Sequence, residues 1–213
     1  MLTQYHLSIT RDAIGEHFSP RAMEVILASN IHQDSLAGQF NHPEYHYDDS
    51  AFREGDQYII SMREGILDSL RKQNSVEDAW DFFGKLSHVS QDYYAHSNYI
   101  RLWSEMKSNA TPADFPQDDI LLPEIMAHEQ LTSGRFYSPW EMITFIPWIG
   151  RRLGFLFPSD SHARLNMDHP DRSNLFPQVY QAAVYRTIFE YNEVVIHLTG
   201  EERRLFSGKS WGI

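Results

Sequence analysis

Apolar residues in this chain recur at helical intervals, in blocks separated by polar stretches dense in histidine and aspartate. Residues 1–18 carry a short helical pattern, with Ser8 or Thr10 as its cap. Ser19-Pro20 has the form of a helix start, serine at the cap and proline in the first turn. Ala22, Met23, Ile26 and Leu27 hold the period from there to about Asn30. A further helix is expected over residues 50–72, burying Phe52, Ile59, Ile60, Ile66, Leu67 and Leu70. Asn74 or Ser75 caps the next, where Glu77 and Asp78 face the positive end of the backbone dipole. That pattern runs to about Lys107 and puts Trp80, Phe83, Leu86 and Tyr94 in the core. Residues 176–198 close the bundle, and the tail from Glu201 reads as a loose end. Strand signals are few, so the expected fold is all-α, a single-domain helical bundle spanning residues 1–213.

The polar stretches change the picture, because they hold ligand types rather than ordinary loop residues. Within the helix that includes residues 82–103, His88, Asp92 and His96 recur every four positions. Each step of four advances about 40° around a helix, so the three share one stripe. Two imidazoles bracketing a carboxylate suit a metal and do little for an apolar core. Gln91 and Asn98 could orient such ligands. Residues 30–49 add His32, Asp34, His42, His46, Asp48 and Asp49. Asp34 and His46 are the best-placed ligands there, and Asp48 or Asp49 caps the following helix. A later loop brings Asp160, His162, Asp168, His169 and Asp171. Groups on facing helices can converge at one end of a bundle, which is where a metal cluster is expected. Residues 120–158 are apolar and aromatic but broken by Pro139, Pro147, Gly150 and Gly154. They fit either a buried pair of short helices or a lipid-contacting lid, with Trp140, Trp148 and Phe155 exposed and Arg151 and Arg152 facing phosphate.

Composition narrows the chemistry. The chain has no cysteine, so any metal is held by imidazole and carboxylate, a set that suits zinc but also manganese, iron or calcium. The net charge of −11 comes with no basic stripe, so there is no strong nucleic-acid signature. The first residues lack a basic-then-apolar leader and no apolar run reaches membrane-spanning length. The expected location is therefore cytoplasmic, or outside by a non-classical export route. Oligomeric state leaves no mark in the sequence.

The run HVSQDYYAHSNY, residues 88–99, resembles the signature of Het-C-type proteins, and more distantly the zinc-dependent phospholipase C and P1/S1 nuclease superfamily. His6, Asp34, EYHYDD around His46, LTSGRF at 131–136, and SH with LNMD at 161–168 extend that resemblance. It implies two or three Zn2+ or other divalent ions. Asp34, His46, His88 and Asp92 would form one site, Asp92 would bridge to an ion at His6, and His96 with His162 and Asp168 would hold another. His128 and His169 are alternatives to that last pair. The implied activity is metal-dependent phosphoester hydrolysis by attack of an activated water on phosphorus, with Asp34 or Asp49 taking the proton. A phospholipid head group is the expected substrate, with Trp148, Arg151 and Arg152 contacting it at a peripheral membrane surface. A nuclease or phosphatase with the same cluster is the nearest alternative, and a non-catalytic membrane or self-recognition module is the other.

Overall fold

Nine α-helices account for most of the described chain in a computed structural model, which describes residues 1–35, 42–72, 75–107, 114–135, 137 and 156–209. They are α1 (Thr3–Ile14), α2 (Pro20–His32), α3 (Phe52–Arg71), α4 (Val76–His96), α5 (Tyr99–Met106), α6 (Pro123–Met126), α7 (His162–Leu165), α8 (Phe176–Val195) and α9 (Gly200–Ser207). Among the described residues there is no sheet, only isolated bridges at Ser97–Ser133 and Arg135–Ser161. No helix there is long and apolar enough to cross a membrane.

Helix α4 is the axis of the bundle, packed by α2, α3 and α8, with α1 lying across α2 and α8. Ser75 caps it by accepting the Glu77 backbone N–H at 3.1 Å, and Trp80, Phe83 and Leu86 are buried on it. Gly84 lets α2 come close: a Cβ there would run into the Ile26 carbonyl and lie 2.7 Å from Ser29 Cβ. That contact fixes the relative position of the C-terminal ends of α2 and α4, which carry Asp34 and His88–His96 to the same end of the bundle.

Four sequence expectations are corrected. The helix expected to continue to Lys107 breaks at Ser97–Asn98, because other segments take over its last backbone groups. Gly134 N–H donates to the His96 carbonyl, Met167 N–H to Ala95, and Asn98 N–H to Thr132. Helix α1 starts at Thr3, ahead of both expected caps; Ser8 instead donates to the Gln4 carbonyl within the helix, and Thr10 is buried. Ile60 is 51% exposed while Ile59, Ile66 and Leu70 form the buried face of α3. The supposed loose tail is α9, started by a capping box in which Thr199 and Glu202 bond each other's backbone N–H groups. It closes on α4 through Trp80 Nε1, which donates to the Phe206 carbonyl at 2.7 Å. Of the apolar stretch at 120–158, Trp140, Trp148, Arg151, Arg152 and Phe155 lie outside the described residues.

Candidate metal centre

Every residue of α4 from Leu86 to His96 is buried, including His88, Gln91, Asp92 and His96. Polar groups taken out of water on all sides of a helix need partners. Asp92 finds them in two directions. Its Oδ2 lies 2.9 Å from His46 Nδ1 and 3.0 Å from His88 Nε2, and those two nitrogens are 3.1 Å apart. Asp34 Oδ1 stands 3.7 Å from the same His88 nitrogen. The other oxygen of each carboxylate turns to His6, whose Nε2 is 3.2 Å from Asp92 Oδ1 and 3.9 Å from Asp34 Oδ2. Asp34 and Asp92 therefore straddle the space between His88 and His46 on one side and His6 on the other.

The donor set fits divalent cations. Ligand bonds of roughly 2.0–2.1 Å in a tetrahedron set neighbouring ligand atoms about 3.3 Å apart, close to the separations among His46, His88 and Asp92. His6, Asp34, His88 and Asp92 offer ligand atoms all within 4.8 Å of one another. His6 is held as a metal-binding histidine would be. Its Nδ1 donates to Gln91 Oε1 at 2.7 Å, which leaves Nε2 as the lone-pair nitrogen. Gln91 is fixed in turn by donating to Thr10 Oγ1 and Thr187 Oγ1. His6 Nε2 is nevertheless fully buried without a hydrogen-bond partner, as are His46 Nε2 and His88 Nδ1. A buried lone pair among carboxylates with no proton to accept is a position that a cation would satisfy.

A second group lies beyond the end of α4. Asp48, His96 and His162 present ligand atoms within the same 4.8 Å, with Asp48 Oδ1 3.1 Å from His96 Nδ1. The opposite nitrogen of His96 is 3.4 Å from Asp168 Oδ1. The α-amine of Met1 sits between the two groups, 2.6 Å from Asp92 Oδ1, 3.1 Å from His96 Nε2 and 3.5 Å from Asp168.

The turn that delivers His46 and Asp48 is unusual. Tyr47, Asp49 and Ser50 all have left-handed backbones, with φ of 56°, 54° and 57°. Such conformations cost on the order of 1–3 kcal/mol each and persist only where surroundings enforce them. Here Asp49 N–H donates to the Gly134 carbonyl at 2.9 Å and Ser50 N–H to Ser133 Oγ at 2.7 Å. Gly134 is itself pressed between this turn and α7: a Cβ on it would lie 2.7 Å from Asn166 Oδ1 and 2.8 Å from His162 Cα. Close packing at Gly134 thus ties the Asp48 turn to the segment that carries His162.

Electrostatics sort the histidines. Burial, reinforced by His6, pushes the His88 imidazole down to about 4, and burial does the same to His162, so both are neutral with a lone pair to offer near pH 7. For His96 burial works downward but Asp92 and Asp48 outweigh it and carry it up to about 10. Burial also opposes the charge on Asp92, yet His96, the Met1 amine and His88 hold it well below the usual carboxylate range. Burial disfavours the Met1 ammonium too, but Asp92 and Asp168 raise it to about 11. With the cluster carrying only protons, charge balance falls on His96 and the amine.

The structure brings together His6, Asp34, His46, His88 and Asp92, and beside them His96, His162 and Asp168. Asp48, expected only as a helix cap, caps nothing and faces His96; Ala51 precedes α3 without a side-chain bond. The left-handed turn decides between the two adjacent aspartates, and no sequence period could have done so. Asp49 is on the outer side, 4.0 Å from Arg135. Asn98 does not orient a ligand: its side chain donates to the Gln130 carbonyl and accepts the Thr132 N–H. His128 is exposed, and His169 turns to Asp171 at 3.9 Å. The expected substrate residues Trp148, Arg151 and Arg152 fall outside the described residues.

Comparison with known families corrects the resemblance read from the motif. The sequence model that matches is that of the VWA7 N-terminal domain, over residues 5–114, and not a Het-C-type, phospholipase C or P1/S1 nuclease family. The matched half of the chain holds the first group entire, with Asp48 and His96 of the second; His162 and Asp168 lie outside it. No curated protein and no solved structure matches the chain.

Proposed function

The chain belongs to the VWA7 N-terminal domain family, and on that footing we propose that it is a metal-dependent phosphoester hydrolase built on a centre for two or three divalent cations, zinc first among them. The family's name carries no activity, so the reading rests on the site. The observation that carries it is His6 Nε2, a fully buried lone pair without a hydrogen-bond partner, aimed at two carboxylates.

Cations bound there would lower the pKa of water and offset the negative charge that builds on phosphoryl oxygens. The protein's own groups do the rest. Asp92, with no exposure, places one oxygen toward His88 and His46 and the other toward His6, and so fixes the spacing of the centre. Gln91 keeps the His6 ring in one orientation. Asp34, whose side chain is 18% exposed, is the carboxylate of the first group that water and substrate would reach, since Asp92 is fully buried. Burial opposes its charge, but the His88 imidazole, the Met1 amine and the His6 imidazole outweigh that and lower its pKa below the usual carboxylate value, so Asp34 is a carboxylate that would take the proton of the attacking water.

The test joins metal content to turnover. Protein purified without chelator should carry two or more equivalents by mass spectrometry and hydrolyse bis(p-nitrophenyl) phosphate. Turnover should vanish in His88→Ala and Asp92→Ala. A metal-replete protein that cleaves no phosphoester would sink the enzymatic part of the proposal. Parallel assays on phospholipid vesicles and single-stranded DNA decide which phosphodiester is preferred.

A further inference from the structure

One turn serves both ligand groups. His46 Nδ1 meets Asp92 and Asp48 Oδ1 meets His96, so two residues flanking a single position reach two residues one helical turn apart on α4. The position between them is Tyr47, which has a left-handed backbone and no exposure. A bulky side chain is a poor occupant of that conformation, which glycine, asparagine and aspartate adopt more readily. Something other than backbone preference keeps a tyrosine there.

What keeps it is a socket. The ring stands edge-on to Tyr93, the residue after Asp92, with centroids 5.0 Å apart at 76°. Its hydroxyl donates to Asp56 Oδ1 at 2.7 Å. Beneath it lies Gly55 of α3, where an added Cβ would come within 2.5 Å of Tyr47 Cε1. We infer that Tyr47 is a positioning residue: seated over Gly55 and against Tyr93, it fixes His46 and Asp48 against Asp92 and His96 at once, so that one anchor sets the geometry of both cation groups. The inference rests on the cation reading of the site and goes beyond it, because Tyr47 touches no ligand position itself.

A glycine pair inside α3 provides the test. Gly55→Ala pushes on the Tyr47 ring, while Gly65→Ala makes the same change ten residues on, against the Phe82 side chain at 3.0 Å. Both substitutions favour the helix itself. Each variant, with Tyr47→Phe and the wild type, is titrated with Co2+, reading calorimetric stoichiometry and the visible d–d spectrum. Wild type and Gly65→Ala should bind alike. Gly55→Ala should bind about ten-fold more weakly, the size of effect seen when a supporting contact at a metal site is lost, with a shifted spectrum from altered ligation. Tyr47→Phe, which keeps the ring and loses the bond to Asp56, should weaken binding by a smaller factor. Equal weakening in Gly55→Ala and Gly65→Ala, or wild-type binding in both Gly55→Ala and Tyr47→Phe, overturns the inference and leaves the cation reading intact. A wild type that takes up no Co2+ overturns the cation reading and the inference with it. Should Gly55→Ala fail to fold, Tyr47→Phe decides alone.

Discussion

Glu190 on α8 and Asp92 on α4 are both carboxylates with no solvent exposure, held in the same bundle. Glu190 is closed off by guanidinium groups. Arg186 Nε donates to one oxygen at 2.7 Å, and Arg63 donates to the other through Nε and Nη2 at 2.8 and 2.6 Å. None of these three side chains has a buried polar atom without a partner. Burial presses against the Arg186 charge, but Glu190 more than offsets it. The network is complete as it stands and ties α3 to α8. Asp92 instead keeps company with His6, His46 and His88, each of which retains a buried nitrogen with no hydrogen bond. Its neighbours are lone-pair donors at ligand spacing, and the fixed positive charge near it comes from the Met1 amine and His96. The contrast separates a buried carboxylate whose partners are complete from one whose neighbours keep unpartnered nitrogens at ligand spacing.

The contrast predicts four measurable outcomes. Glu190→Ala leaves Arg186 buried without its carboxylate, and should destabilise the fold by about 3–5 kcal/mol in denaturant titration. Its Co2+ stoichiometry should stay at the wild-type value; loss of uptake there would erase the distinction. Co2+ at about 100 times its dissociation constant should stabilise the wild type by about 2.7 kcal/mol. Asp92→Asn should gain none of this, while Glu190→Ala should gain it in full. Gln91→Leu removes the acceptor of His6 Nδ1, and should weaken Co2+ binding by about 10- to 100-fold, with Thr10 and Thr187 left to repack. Arg63→Gln is the mildest. Arg63 is 25% exposed and Glu190 keeps Arg186, so a loss of about 1 kcal/mol and unchanged cation binding are expected.

The stripe at His88, Asp92 and His96 was legible because helical period alone puts those residues on one face. Gln91, like Asn98, was a candidate orienting group by residue type alone, and only Gln91 meets a site histidine, accepting from His6 Nδ1. The break after His96 was not legible, since the groups that end the helix come from residues 132–134 and 167. Asp48 was missed because its orientation follows from left-handed residues that hydrophobic pattern does not encode. The buried Arg186–Glu190 pair passed as part of an apolar helix, although its spacing of four was there to see. Helix α9 also had a visible signal, Thr199 three residues before Glu202, and was overlooked. The family was misread because a short ligand-rich motif speaks to local chemistry, and ancestry is carried by the longer pattern of residues 5–114.

The cluster is assembled from segments far apart along the chain: His6 meets Gln91 across 85 positions and His46 meets Asp92 across 46. Closing loops of that size is slow, and their reward arrives only when the last segment docks. The α2–α4 crossing at Gly84 closes a span of similar size but rests on backbone and apolar packing, and needs none of the contacts of His6, His46 or Asp48 to form. Substitutions at His6, His46 and Asp48 should then leave the refolding rate nearly unchanged and alter the rate of unfolding, with φ-values near zero. In that order of events a cation, if bound, would meet a finished bundle and would act on how long the fold lasts once formed.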